Sequence, residues 1–162
     1  MKKRLTALVL ALCVPLLLLS CAGDAVEGGG EYLLYFPVER GADYGSAMGT
    51  QPYDGEVPTV QQLLQALFAG PAEESLRSPF PRAVALLSVE HGEGGLLKLR
   101  LSEQYSGLSD IGRTLADASI VLTLCQLPDV ERVEISSDGF WSSSPTVRTL
   151  SPAELELDTL LP

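Results

Sequence analysis

Two stretches of the chain repeat apolar residues at helical spacing, and several others alternate them at every second position. The longest such pattern runs from Ser109 to Gly139. Ile111, Leu115, Ala118, Leu122 and Cys125 recur at intervals of four and three, which predicts one apolar helix face. Ile120, Val121 and Leu124 widen that face, so the helix is expected to be covered by core on more than one side. Ser109 or Asp110 can cap its start, where orphan amides need an acceptor. Pro128 ends it, having no N–H to donate and biasing Leu127 away from helical angles. The period then changes to two. Val133 and Ile135 face one way and Arg132, Glu134 and Ser136 the other, a half-buried strand closed by a turn at Asp138-Gly139.

Upstream, Tyr32 to Phe36 is an apolar and aromatic run ended by Pro37, which predicts a strand. Val38 to Val57 is rich in Gly, Asp, Ser and Pro and reads as a long loop with room for a weak edge strand. Loops of that length usually carry a task, so Tyr44 and Tyr53 are its candidate interaction residues. Thr59 with Gln62 fits a capping box. Val60, Leu63, Leu64, Leu67 and Phe68 then form one helical stripe, stopped by Gly70-Pro71. Ala83–Glu90 and Leu96–Leu101 predict a hairpin around Gly92 to Gly95, with Leu97, Leu99 and Leu101 inward and Lys98 and Arg100 outward. The order β-α-β-β-α-β implies a single α+β domain with two helices on one face of a mostly antiparallel sheet. Residues 140–162, with Phe140-Trp141, a serine run and a leucine-bearing end, are read as a tail that packs on the domain or extends from it.

The N-terminus changes the picture. Lys2, Lys3 and Arg4 precede a leucine-rich run to Leu19 that is shorter than the roughly 20 residues a membrane span needs, the pattern of an export signal. It ends in Leu18-Leu19-Ser20-Cys21, which resembles the lipobox of bacterial lipoproteins. That resemblance implies cleavage before Cys21 and attachment of lipid, palmitate included, to its thiol. The expected organisation is a signal over 1–20, a glycine-rich tether over 21–30 ending in Gly28-Gly29-Gly30, a domain over 31–139 and the tail over 140–162. The expected location is the extracytoplasmic face of the cell membrane.

Charge narrows the partners. The signal holds three of the 11 basic residues and none of the 21 acidic ones, so cleavage takes the net charge from −10 to −13. Such a surface is repelled by anionic headgroups and by nucleic acid, which leaves the lipid at Cys21 as the membrane contact. Candidate chemistry is sparse. His91, the only histidine, stands beside Gly92 at the predicted hairpin without a second ligand nearby in sequence. Glu73-Glu74 reads as solvated charge, the Ser142–Ser144 run lacks a nucleophile elbow, and Cys125 reads as a small core hydrophobe. No catalytic residue, metal site or cofactor is expected.

Several short motifs occur together in order. They are Tyr35-Phe36, Leu67-Phe68-Ala69-Gly70-Pro71, Ser78-Pro79-Phe80-Pro81, Leu101-Ser102-Glu103, Leu122-Thr123-Leu124, Leu127-Pro128-Asp129-Val130, Arg132-Val133 and Asp138-Gly139. Together they resemble the GerMN domain of sporulation and spore-germination proteins. The resemblance implies an exported, membrane-attached module of spore envelope assembly or germination, and a likeness to ring-building modules of secretion systems. Two readings follow. One is a lipid-anchored interaction scaffold whose partners are envelope proteins, a second copy of the chain among them. The other is a surface lipoprotein that binds a ligand or cell-wall fragment.

Overall fold

The computed structural model describes residues 32–39, 47–139 and 146–155. Strand β1 (Leu33–Pro37) pairs antiparallel with β2 (Met48–Pro52), so the stretch read as a long loop with room for a weak edge strand contains such a strand. Helix α1 (Val60–Ala69) begins at Thr59, whose hydroxyl accepts from the Gln62 amide at 3.3 Å while Gln62 Oε1 accepts from the Thr59 amide at 2.9 Å. This is the reciprocal cap expected from the sequence. Val60, Leu63, Leu64 and Leu67 are buried, and Gly70, at φ 89°, turns the chain out of the helix.

The remaining strands form a four-stranded sheet in the order β3 (Leu86–His91), β4 (Leu96–Leu101), β5 (Arg132–Ser137) and β6 (Thr146–Leu150). β4 and β5 run parallel; the other neighbours are antiparallel. Gly94 and Gly95 take positive φ in the β3–β4 turn, and a Cβ on Gly95 would stand 2.6 Å from the Glu131 side chain, so glycine alone fits there. Leu97, Leu99 and Leu101 point inward beside Val133 and Ile135, all at most 3% exposed, as the alternation predicts. His91 is the last residue of β3 and is exposed.

Helix α2 (Asp110–Leu124) connects the parallel pair. Ser109 caps it, accepting from the Gly112 amide at 3.4 Å. From Ala116 to Leu124 every residue is buried, Asp117, Ser119 and Thr123 included. Ile111, placed on the apolar face by its spacing, is instead 77% exposed, because the covered part of the helix begins more than one turn later.

The α+β class with two helices and mostly antiparallel strands is as expected, but the strands divide into two sheets rather than one. The division has a local cause. β1 meets β2 on one edge, and its other edge is taken by side chains of α2 and of Gln126 just beyond it. Leu33 N–H donates to Gln126 Oε1 at 3.0 Å and Leu33 C=O accepts from Gln126 Nε2 at 2.7 Å. Tyr35 N–H donates to Thr123 Oγ1 at 3.1 Å. A helix thus supplies bonds that a neighbouring strand would otherwise make. Beyond β5 the chain returns as the antiparallel strand β6, and Leu155, beyond a short 3-10 turn at Pro152–Glu154, is 8% exposed. Trp141 lies outside the described residues.

Thr123→Val keeps the side-chain shape and removes the acceptor for Tyr35 N–H. The expected outcome is a loss of about 0.5–1.5 kcal/mol in denaturant unfolding, the net worth of one part-buried hydrogen bond. An unchanged midpoint would show that this bond does not hold β1 to the helix.

Candidate functional site

The strongest polar constellation lies in the interior. Asp117 projects from the middle of α2 and is 1% exposed, a placement a carboxylate tolerates only with partners. Tyr105, in the 3-10 turn Glu103–Gly107 that follows β4, donates its hydroxyl to Asp117 Oδ1 at 2.6 Å. Arg148 of β6 donates Nη1 to Asp117 Oδ2 at 2.6 Å. Arg113, one turn earlier on α2, donates Nη2 to the Ser106 carbonyl at 2.6 Å. Both oxygens of the carboxylate are therefore engaged, and three separate elements meet on one side chain.

Burial raises the Asp117 pKa above the ordinary carboxylate value, against the lowering effect of the Tyr105 bond and of the Arg148 and Arg113 charges. Burial, then the charge of Asp117 and the bond to it, holds the Tyr105 phenol protonated well beyond its usual range. These bonds join elements to one another, and no nucleophile–base pair is formed by them. The arrangement is a clasp between α2, the end of β4 and the sheet edge.

The second feature is the outer face of the four-stranded sheet. In register across the strands stand Glu90, Lys98, Glu134 and Thr149, and beside them Ser88, Arg100, Ser136 and Val147. The inward residues of the same strands fill the core, so this face is polar with charges of both signs. Arg100 pairs with Asp138 at 2.8 Å, both more than half exposed, a contact worth about 0–1 kcal/mol.

The residues singled out from sequence are not brought together. Cys21 and Tyr44 lie outside the described residues, as do Ser142 to Ser144. Tyr53 is half-buried against the core, and its amide donates to the Tyr32 carbonyl at 2.7 Å. Part of this side chain is therefore committed to packing. Glu73 and Glu74 are exposed. Cys125 is half-buried at the end of α2, and burial pushes its thiol up to about 11, far from a reactive thiolate. Among the described residues no three His, Cys, Asp or Glu side chains are grouped as a metal ion would need.

Asp117, Tyr105 and Arg148 were not among the sequence candidates. A signal for Asp117 was present, since it interrupts a helix read as covered on more than one side and is flanked by Ala116, Ala118 and Ser119. A carboxylate in such surroundings requires a donor from elsewhere in the fold. Nothing in the spacing identified which tyrosine or arginine would provide it.

Comparison with known proteins adds the following. The family model described as Germane, sporulation and spore germination, matches residues 33–141. The first GerMN domain of the sporulation protein GerM from Bacillus subtilis superposes with a TM-score of 0.58 at 18% identity, covering 77% of this chain and 99% of that one. The tandem GerMN domains of the same protein give 0.51 at 21% identity, covering 73% of this chain and 44% of that one. No curated protein sequence matches. At these identities the structural likeness establishes the fold.

A pH prediction follows from the clasp. The folded-state pKa of Asp117 lies above its value in the unfolded chain. Its contribution therefore favours folding most below the ordinary value of 3.8 and is lost as pH rises through the folded-state value. Urea midpoints of wild type and Asp117→Asn, measured from below 3.8 to neutrality, are expected to shift in the mutant's favour as pH rises. A difference that stays flat, or moves the other way, contradicts the assignment.

Proposed function

This chain belongs to the Germane family of sporulation and spore germination domains, and from that premise we propose that it is a lipid-anchored, non-catalytic interaction module on the extracytoplasmic face of the membrane. The observation that carries the reading is the four-stranded sheet. Helix α2 and the core occupy one face, while the other, with Lys98, Arg100 and Glu134, meets solvent, and β3 and β6 end the sheet on either side. A rigid sheet with an open face and two edge strands offers contact area and backbone groups to another protein. The polar groups most deeply enclosed, those around Asp117, are occupied in holding elements together. That arrangement supports binding over catalysis. Partners are proteins of the envelope, a second copy of the chain included.

Anchoring rests on Leu18-Leu19-Ser20-Cys21 following an export signal. With the mature chain at −13 after three of the 11 basic residues leave with the signal, the lipid carries the membrane attachment. Cys21→Ala is expected to release the protein from the membrane fraction or leave it unprocessed. Normal cleavage with continued membrane fractionation would refute the anchor.

The interaction reading has its own test in complementation of a deletion strain, with circular dichroism to confirm the fold. His91→Ala is expected to complement fully. Lys98→Ala, which removes the mature chain's one lysine from the open sheet face, is expected to complement less well at unchanged fold. The reverse pattern would favour chemistry at His91 over binding on the sheet.

A further inference from the structure

The four-stranded sheet ends in two edge strands, and they differ in chemistry. On one side β3 carries a bulge. Leu86 stands opposite Leu101 and Ser88 opposite Arg100, so Leu87 is an extra residue in the strand. A bulge distorts the row of backbone groups that another strand would have to meet. The same edge carries Glu90 and His91, and Glu93 follows in the turn, all exposed. Irregularity and charge are two ways in which proteins keep an edge from pairing.

The other edge has neither. β6 pairs with β5 in unbroken register from Val133–Leu150 to Ser137–Thr146, and among the described residues it pairs with no other strand. Its sequence, Thr-Val-Arg-Thr-Leu, is rich in β-branched residues and holds no proline, glycine or carboxylate. Its one charge, Arg148, is turned to the inner face and bonded to Asp117 at 2.6 Å. Val147, on the outer face beside Ser136, is 51% exposed. An antiparallel partner engages the N–H and C=O of alternate residues only, so the remaining residues of β6 aim theirs away from β5.

We infer that β6 is where two copies of this chain meet, pairing antiparallel about a two-fold axis so that their sheets join into one. This rests on the interaction reading above and names its partner. The second copy is favoured by charge. The chain carries a net −10, so copies repel one another wherever carboxylates gather, and β6 is the edge strand without them. A two-fold axis presents the same strand to itself and closes on two copies. Registers that set outer residues against outer residues keep both outer faces on one side. Among these, Arg148 opposite Arg148 sets like charges against each other, which weakens a pair. Thr149 opposite Thr149 leaves Val147 against Ser151, past the end of the strand. Val147 opposite Val147 covers the exposed apolar side chain of each copy with that of the other and sets Arg148 against Thr146. Val147 therefore lies on the axis.

The test is disulfide trapping of the full chain in cells of the deletion strain. Single cysteines are placed in a Cys125→Ser background, with that background alone as the baseline and circular dichroism to confirm each fold. Directly opposite residues of antiparallel strands have Cα atoms about 4.5–5.5 Å apart, within the roughly 4.4–6.8 Å that a disulfide spans. In the inferred register the two copies of Thr149 are displaced by four residues, roughly 13 Å along the strand. Oxidation is therefore expected to give a band at twice the chain's mass from Val147→Cys, and none above baseline from Thr149→Cys or, on the β3 edge, from Ser88→Cys. A band from Ser88→Cys without one from Val147→Cys would overturn the choice of edge. A band from Thr149→Cys alone would overturn the register. A Val147→Cys adduct of any other mass would overturn the second copy as the occupant. No adduct from folded Val147→Cys would overturn the self-pair, while the interaction reading would still stand or fall by the Lys98→Ala complementation.

Discussion

A helix surrounded by the rest of its domain can address its neighbours only through side chains, because its backbone groups are already bonded within it. Helix α2 is in that position from Ala116 to Leu124. Its polar residues are consequently assigned to particular neighbours. Asp117 holds Tyr105 and Arg148, Thr123 takes the Tyr35 amide, and Gln126, just beyond the helix, takes both backbone groups of Leu33. Ser119 bonds back to the Leu115 carbonyl and so satisfies itself. The apolar residues between them supply the driving force for burial. The polar ones decide in which order and at which height the surrounding elements attach, since a slipped strand would leave a buried donor or acceptor without a partner.

Local features were legible in the sequence for reasons that local physics explains. The cap at Thr59 and Gln62, the glycine exit at Gly70 and the alternation of Leu97, Leu99 and Leu101 each depend on a few consecutive residues, and each appears in the structure. What failed to be legible depended on distant partners. The weak edge strand allowed for in the loop could not be placed, because Met-Gly-Thr-Gln-Pro has few strand-forming side chains and becomes β2 only where β1 offers it an edge. Ile111 fits the helical period but falls before the covered part of the helix, which periodicity cannot sense. The separation of β1 from the main sheet follows from hydrogen bonds to Gln126 and Thr123, more than eighty positions away. The Asp117 clasp is of the same kind. The family resemblance read from short apolar and turn motifs agrees with the family match over residues 33–141, since such motifs record how a fold turns and packs.

The open sheet face shows how a strongly acidic chain can retain a surface that does not repel its surroundings. Glu90, Lys98 and Glu134 alternate in sign across adjacent strands, and Arg100 in the neighbouring row pairs with Asp138. Cross-strand neighbours of opposite charge stabilise the sheet modestly, while like charges directly opposite would weaken it. The excess of carboxylate is carried by turns and connections instead. Sheet and loops thus divide the charge of the molecule between them.

The parallel pairing of β4 with β5 has a consequence for how the domain comes together in time. β3 and β4 are joined by a tight turn and can close as the chain collapses locally. β5 reaches them only through the crossover that contains α2, because parallel neighbours require a connection that long. β6 pairs only with β5, and so has its place in the sheet only once β5 is docked on β4. Until it arrives, Asp117 lacks Arg148, and an ionised carboxylate without that partner resists leaving water. Full pairing of the buried Asp117 on α2 thereby depends on the C-terminal strand. A chain cut short before β6 would leave Asp117 on α2 without the guanidinium that pairs with it in the completed domain.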